Sequence, residues 1–391
     1  MRRSGYGTCP WALGAGLFTL AASLSAPGAS PPAAAQTASD NIIDFMIMDV
    51  SVDAADHVLP GLTPYDAACS RRRNIRAGEK IPYHLHDFPA RNAGCAGRLG
   101  TVSKDNIPVE RDGVTRVVSF YDKGVDHSCP DVSPNAPRFG ELDSAGEGGS
   151  VQWADDGFGF IMGSWSPVAL SSWRTPLCEE NPNSSRRFQR AWVIGPAKLP
   201  PRGVAGVGVF AAKHESGDPA ATAGSCPRAY GRSANVWVRD EFAFKSGHTL
   251  EAVVSDHFSK DVTSPKGADA MQIERTYWTK EFGLSRWEEW ARADWVHPRS
   301  GKSAMELAQT LYASGMCSDP YARTRAPSPR LTIGPAENAP AGVYAQTVTV
   351  GGHAHQWVMT LCRDYTNAVP DENGGLDARW GEAISPAYWA K

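Results

Sequence analysis

The chain has 391 residues, with 39 Lys and Arg against 42 Asp and Glu and a formal net charge of −3. This mild acidic balance argues against nucleic-acid binding, which needs a basic face, and against a polybasic membrane-surface binder. The 38 Gly and 29 Pro residues break the chain into short pieces, which disfavours long helices.

Residues 1–35 have the layout of a cleaved secretory signal peptide. Arg2 and Arg3 supply a positive start, an apolar run covers residues 11–24, and Ala33–Ala35 form a small-residue cleavage site. A membrane anchor is the alternative, but the run is shorter than the ~20 apolar residues that a spanning helix needs. We therefore expect export to the periplasm or the extracellular space, with no transmembrane segment in the mature chain.

Seven of the eight cysteines lie beyond residue 35, and exported chains mature where disulfides persist. No two cysteines are spaced as C-x-x-C, so zinc-ribbon and thioredoxin-like sites are not indicated. Two or three disulfides are expected, and proximity along the chain predicts Cys69–Cys95 and Cys317–Cys362 among the pairs, although the sequence does not fix the connectivity. The odd count leaves one thiol over, and Cys226 is the candidate, as a buried inert cysteine rather than a nucleophile.

Short runs rich in β-branched and aromatic residues lie between the Gly and Pro breaks, and several alternate apolar with polar residues. This alternation is typical of half-buried strands. Regular short strands favour a mainly β fold, a large antiparallel β-sandwich of the jelly-roll or concanavalin-like kind. The predicted strands lie at residues 42–52, 115–122, 190–195, 204–212, 234–244, 250–258, 271–279 and 342–350.

One short helix is predicted near residues 303–314, because Ser303 and Glu306 form a capping-box pattern ahead of an apolar stripe at helical spacing. A Pro-rich stretch around residues 326–341 is the best linker candidate. We therefore predict three parts of the chain: a signal peptide at 1–35, a β-sandwich domain at 36–325, and a C-terminal β extension at 326–391, packed on the sandwich or following it.

The segment 277–292, YWTKEFGLSRWEEWAR, places three tryptophans, three glutamates and two arginines in sixteen residues. We predict a hairpin with a two-residue turn at Phe282-Gly283, because a primed turn wants Gly at a central position. A loop one residue longer would shift the register and move the side chains of one strand to the opposite face. The expected register pairs residues 281 with 284, 279 with 286, 277 with 288 and 275 with 290.

This hairpin has a predicted core face and a predicted ligand face. Trp278 and Trp287 are expected to face the core, since large aromatic side chains dominate burial, with Glu274 and Glu289 reaching the rim of that face. Flat rings beside hydrogen-bonding charges suit a sugar, which has apolar C–H faces and polar edges. The ligand face carries Arg275, Tyr277, Arg286, Glu288, Trp290 and Arg292.

On the ligand face we predict substrate contacts by the three arginines and Trp290, and catalytic roles for Tyr277 and Glu288. The alternative is a structural role for the same residues. In that case Arg275 lies over Trp290 as a cation–π pair, and Arg286 and Glu288 form exposed salt bridges.

His84 and His86 are further catalytic candidates, because alternate residues of a strand share one face. Such a pair can supply a general base near neutral pH or ligands for a transition metal. His353 and His355 repeat the spacing. The expected cofactor is none, with loop calcium at the acidic Gly turns or a His-bound transition metal left open.

Several catalytic motifs are absent from the sequence: the G-x-S-x-G elbow, the Walker A loop, the Rossmann fingerprint and H-E-x-x-H. The overall texture resembles that of secreted bacterial β-sandwich proteins that bind or cut polysaccharide. The E-x-D-x-E strand of jelly-roll glucanases is missing, and QIER lacks the histidine of the Q-I-H strand of jelly-roll alginate lyases. No family is therefore assigned.

These features predict a secreted β-sandwich protein that binds or acts on a polysaccharide or oligosaccharide. An enzyme is the first alternative. A lyase would use arginine on a uronate and Tyr277 or a histidine as the base, whereas a hydrolase would pair Glu288 with Glu274 or Glu241. A non-catalytic envelope or adhesion protein that binds another protein is the other alternative, with the tryptophans as core and the charges as a solvated face.

Overall fold

The computed structural model describes residues 41–69, 71–88, 102–111, 114–123, 149–155, 157–163, 192–212, 231–258, 260–298 and 300–371. All of them belong to one compact unit, residues 40–391. The predicted signal peptide at 1–35 lies outside the described residues and stays a prediction. Within the described residues, no helix has both the length and the apolar character needed to cross a membrane.

The described chain is mainly β, which confirms that part of the predicted fold class. Short 3-10 helices occur at Ile42–Phe45, Pro64–Cys69 and Pro265–Asp269. The strands are β1 Asp49–Val52, β2 Arg71–Asn74, β3 Tyr83–His86, β4 Val102–Arg111, β5 Val114–Lys123, β6 Gly149–Asp155, β7 Phe158–Gly163, β8 Trp192–Pro196, β9 Ala205–Ala212, β10 Gly231–Ala243, β11 Thr249–Phe258, β12 Gln272–Thr279, β13 Gly283–Arg292, β14 Arg325–Ser328, β15 Leu331–Pro335, β16 Ala345–Val350, β17 His353–Asp364 and β18 Asn367–Pro370.

Antiparallel pairing joins these strands into three sheets. The smallest contains β1 and β2, and a seven-stranded sheet has the order β18-β3-β4-β5-β6-β7-β8. A nine-stranded sheet has the order β14-β15-β16-β17-β13-β12-β11-β10-β9. Strands from both sides of residue 325 share this large sheet, and the domain boundary placed there stays a prediction.

The nine-stranded sheet is nearly barrel-shaped. Its two edge strands, β14 and β9, approach each other. One buried cluster draws side chains from β10 to β13 and from β15 to β17, so these side chains point toward a shared centre. We call this concave side the barrel interior and the opposite side the outer face.

The outer face packs against the seven-stranded sheet. A shared core joins the two sheets and the segment before β1, and Ser255 Oγ on β11 donates to the Val193 carbonyl on β8 at 3.1 Å. The core side chains include Met46 and Met48 before β1, Val117, Trp153 and Phe160 of the smaller sheet, and Trp237, Val253 and Trp278 of the larger one.

The predicted strand at 42–52 is wrong in its first half. Residues Ile42–Phe45 form a 3-10 helix, and strand pairing begins only at Asp49. Ile42, Phe45 and Met46 are all fully buried. A continuous apolar run of this kind does not separate a buried strand from a buried helical turn. The other predicted strand segments overlap observed strands.

The predicted helix is confirmed as α1, Ala304–Ser314. Ser303 Oγ accepts from the Glu306 amide, and the Glu306 side chain accepts from the Ser303 amide at 2.8 Å. Gly315 ends the helix in the left-handed conformation, with φ 64°. Capping at both ends explains why this short apolar stripe forms a helix within a β-rich chain.

The β12–β13 hairpin forms, but the predicted register is wrong. Thr279 pairs with Gly283, so the loop has three residues instead of two, and an extra residue at Ser285 then shifts the pairing. Beyond this bulge, Tyr277 pairs with Arg286 and Arg275 pairs with Glu288. At the tip the β13 partner lies three residues earlier than predicted, and beyond the bulge it lies two residues earlier. Because this final shift is an even number of residues, the predicted face membership is preserved.

The tip of this hairpin connects three parts of the fold. Asn106 Nδ2 of β4 donates to the Phe282 carbonyl at 2.6 Å, and Met48 forms an isolated bridge with Phe282. Gly283 has φ 68°, and a Cβ built there would lie 2.5 Å from the Met46 carbonyl oxygen and 2.8 Å from the Asn106 side chain. Glycine is therefore required by both the backbone conformation and the close contact.

The substitution Gly283→Ala tests this connection. Gly342 is a matched control, because it has φ 73° but nothing within 4 Å of a built Cβ. We expect Gly342→Ala to cost about 1–2 kcal/mol of unfolding free energy from the left-handed backbone alone, and Gly283→Ala to cost about 1–3 kcal/mol more from overpacking. Urea unfolding of both variants measures the difference, and equal losses would contradict the role given to the hairpin tip.

Candidate functional site

The predicted ligand face of the hairpin lies in the barrel interior. Arg275, Tyr277, Arg286 and Glu288 are 0% exposed, and Trp290 is 1% exposed. The expectation that this face lines an open groove is therefore wrong. The substrate-binding and catalytic roles of these residues stay predictions. Because the side chains are enclosed, they would contact a polysaccharide only if the barrel opened.

Ion pairs connect the interior arginines to carboxylates on three strands. Asp256 Oδ1 accepts from Arg275 Nε at 2.5 Å, and Arg275 Nη1 lies 3.5 Å from Glu288 Oε2. Arg286 Nε lies 2.7 Å from Glu288 Oε1 and its Nη1 lies 3.8 Å from Asp364 Oδ2. Each of these arginines thus keeps a negative partner, which is what buried charges require.

Aromatic rings complete the packing of these charges. The Arg275 guanidinium lies 5.0 Å from the centre of the Trp290 ring, and Trp290 Nε1 donates to Glu288 Oε2 at 2.7 Å. Arg286 lies over the Phe242 and Tyr277 rings. The cation–π pair of the structural alternative is therefore present. Its Arg286–Glu288 salt bridge is also present, but it is buried and not exposed as predicted.

A segment after α1 covers one end of the interior. Cys317 is bonded to Cys362 of β17, which confirms that predicted disulfide. Ser318 accepts from Arg286 through both its hydroxyl and its carbonyl oxygen, at 2.8 and 2.9 Å. Tyr321 donates its hydroxyl to Asp240 at 2.9 Å. We call residues 317–323 the strap. The predicted Cys69–Cys95 pair and Cys226 lie outside the described side chains.

The remaining predicted site residues lie apart from this interior cluster. His84 and His86 lie on one side of β3 and alternate with buried Tyr83 and Leu85, as predicted. His84 Nε2 is 3.5 Å from Asp371 Oδ2. Arg292 ends β13, where it forms an ion pair with Asp294 at 2.5 Å. Their assigned roles stay predictions.

No group of three or more His, Cys, Asp or Glu side chains is placed to hold a metal ion in the part of the chain that the structure describes. His353 and His355 lie on β17, where they are directly opposite Val350 and Val348 of β16.

A row of polar side chains crosses the outer face of the large sheet. Direct cross-strand pairing joins Asn235 on β10 to His257 on β11, His257 to Glu274 on β12, and Glu274 to Glu289 on β13. We call these four residues the outer row. Direct antiparallel partners have Cβ atoms about 4.5–5.5 Å apart, so the two glutamates are immediate neighbours.

Two tryptophans border the outer row. The Trp192 ring of β8 stacks on His257 with ring centres 4.5 Å apart, and His257 Nδ1 lies 2.9 Å from Asn235 Oδ1. Trp287 Nε1 donates to Glu274 Oε2 at 3.0 Å. Asn235 and His257 are buried, whereas Glu274, Glu289 and both indoles are partly exposed. The row therefore runs from beneath the edge of the smaller sheet toward solvent.

The two glutamates have perturbed acidities. Burial, reinforced by the like charge of Glu289, raises the pKa of Glu274 from 4.5 to about 8, although the hydrogen bond from Trp287 opposes this. Burial also raises the pKa of Glu289, and His297 opposes that shift. Adjacent carboxyl groups resist ionising together, so at neutral pH Glu274 holds a proton that it can donate.

Sequence reasoning found only part of the outer row. It placed Glu274, Glu289 and Trp287 on one face, which is confirmed by their register. It did not identify His257 as the neighbour of Glu274, or Trp192 as the ring that stacks on His257. Those contacts depend on the β11–β12 pairing and on the packing of β8 against β11, and no local pattern in the sequence specifies either.

The chain matches no protein-family model, no curated protein and no solved structure. Function is therefore inferred from the chemistry of the side chains alone.

The raised pKa of Glu274 makes the stability of the protein depend on pH. Between pH 4.5 and about 8 the folded chain holds a proton that the unfolded chain releases, so stability falls as pH rises through this window. In Glu274→Gln this loss should disappear. We expect the free energy of unfolding of the wild type, relative to the variant, to fall by on the order of 2–4 kcal/mol across the window.

Urea unfolding at both ends of this pH window measures the effect. Glu241→Gln is the control, because Glu241 is exposed and pairs with Arg202 at 2.9 Å. That variant should keep the wild-type pH profile. Parallel profiles for the wild type and Glu274→Gln would show that Glu274 titrates like an ordinary carboxyl group.

Proposed function

We propose that this protein binds carbohydrate at the outer row. The proposal is carried by one observation: two neighbouring carboxyl groups lie at a partly exposed position, where the Trp287 indole donates to Glu274 and the Trp192 indole stacks on the adjacent His257. Carboxyl groups exchange hydrogen bonds with sugar hydroxyls, and an indole packs against the C–H face of a sugar ring. The outer row supplies both kinds of contact, whereas the enclosed face of the hairpin does not reach solvent.

The proposed ligand is a polysaccharide or oligosaccharide met outside the cytoplasm. Export rests on the predicted signal peptide, and the Cys317–Cys362 bond supports it, since disulfides persist mainly in oxidising compartments. Two antiparallel sheets that share a core also support the sandwich part of the predicted fold class. The jelly-roll or concanavalin-like topology stays a prediction.

Glycoside hydrolysis is a second candidate function, favoured by the acidity of the pair. A glycosidase needs one carboxylic acid that is protonated at working pH and one carboxylate partner. Glu274, with its pKa of about 8, fits the acid, and Glu289 fits the partner. A carboxyl separation of about 5–5.5 Å would make such an enzyme retaining, and a longer one would make it inverting.

Binding to an oligosaccharide array, followed by titration of the best hit, tests the first proposal. At a pH above the Glu274 pKa of about 8, where this side chain is ionised, we expect Glu274→Gln to weaken binding about tenfold, because a hydrogen bond to a charged group is lost. Trp287→Ala should weaken it by about 3- to 10-fold through loss of ring packing. Circular dichroism of each variant should stay that of the wild type.

Two matched controls separate binding from general damage. Glu241→Gln removes an exposed carboxylate of the same sheet, and Trp295→Ala removes another partly exposed indole, outside the outer row. Both should bind like the wild type. Unchanged binding by the Glu274 and Trp287 variants, with the fold intact, would refute the outer row as the ligand site.

Release of reducing ends from the best hit tests hydrolysis. If Glu274 is the acid, turnover should fall as pH rises through about 8 and should be lost in Glu274→Gln. Binding without turnover would leave the protein as a carbohydrate-binding protein and exclude the glycosidase.

A further inference from the structure

Hydrogen-bond donors without partners collect in the barrel interior, on the opposite side of the sheet from the outer row. Arg325 Nε and Nη1, Gln346 Nε2 and Trp357 Nε1 make no hydrogen bond to any described residue. Arg325, Gln346 and Trp357 are 3%, 4% and 1% exposed, respectively. Gln346 and Trp357 are direct cross-strand partners. An unpaired buried donor costs about 1–3 kcal/mol, so an acceptor is needed at this position.

The orientation of Gln346 is fixed by its neighbour. Arg275 Nη2 donates to Gln346 Oε1 at 2.5 Å. A guanidinium group has no acceptor, so the amide oxygen has to face it. The Gln346 amide nitrogen is therefore directed away from Arg275 and adds a further donor to those of Arg325.

The nearby carboxylate is already shared. Asp256 Oδ1 accepts from Arg275 Nε at 2.5 Å, and Asp256 Oδ2 lies 2.8 Å from Arg325 Nη2. One carboxylate thus faces two guanidinium groups. Glu288 lies closer to Arg286, at 2.7 Å, than to Arg275, at 3.5 Å. The Arg325 end of the cluster therefore has less negative than positive charge, and burial together with Arg275 lowers the pKa of Arg325 although Asp256 opposes this shift.

We propose that the barrel interior binds one small anion, a carboxylate or an inorganic oxyanion, held by Arg325, Gln346 and Trp357. A single negative acceptor would satisfy the unpaired donors and balance the second guanidinium group at Asp256. The site is distinct from the outer row, and either proposal can fail without the other.

Thermal unfolding in acetate and in phosphate, at constant ionic strength, tests the site and distinguishes the two kinds of anion. Preferential binding to the folded chain should raise the midpoint temperature of unfolding by about 2–4 °C per kcal/mol of binding energy. This increase should level off as the anion concentration rises. We expect this increase to be lost in Arg325→Met. Arg330→Met is the control, because Arg330 is exposed in the turn between β14 and β15, and it should keep the full increase.

The anion-dependent increase is compared within each variant, so a lower starting stability of Arg325→Met does not affect the result. If that variant does not fold, wild-type crystals soaked in bromide provide the second measurement. An anomalous peak beside the Arg325 guanidinium group that acetate or phosphate displaces would support the site. No peak and no saturable increase, or an equal increase in Arg325→Met, would overturn it and leave ordered water as the acceptor.

Discussion

The alternation of side chains along the β12–β13 hairpin is the constraint on which the rest of the structure depends. Successive residues of a strand point to opposite faces, so Arg275 and Tyr277 enter the barrel interior while Glu274 remains on the outer face. The three-residue loop would exchange these faces if the bulge at Ser285 did not restore them. One hairpin therefore supplies both the enclosed ion-pair network and the exposed carboxyl pair.

The enclosed network is costly to form but gives the barrel a defined arrangement. Desolvating paired charges offsets much of their attraction, while removing one partner of such a pair typically costs about 3–5 kcal/mol. Arg286 links this network to the strap through Ser318, and the Cys317–Cys362 bond anchors the strap to β17. The interior charges therefore position the segment that covers them, which gives them a structural role whether or not an anion binds.

Features that depend on neighbouring residues in the chain could be predicted from the sequence. The capping box of α1, the strands predicted at 234–244 and 250–258 and the face membership of the hairpin all follow from short-range patterns. Burial of the hairpin's charged face was not predictable in the same way. It results from β14 approaching β9 and from the strap, and both depend on residues far apart in the chain. For the same reason His257 was not recognised as a neighbour of Glu274, or Trp192 as the ring stacked on His257.

Hydroxyl-radical labelling of the tryptophans, read by mass spectrometry, tests the assignment of the two faces most directly. Trp287 and Trp192 are partly exposed, whereas Trp278 and Trp290 are 0% and 1% exposed. Trp287 and Trp192 should therefore be oxidised in the folded protein, while Trp278 and Trp290 should react only after unfolding. If Trp290 is oxidised in the folded protein as fast as Trp287, the interior is not enclosed and the charged face of the hairpin is exposed to solvent.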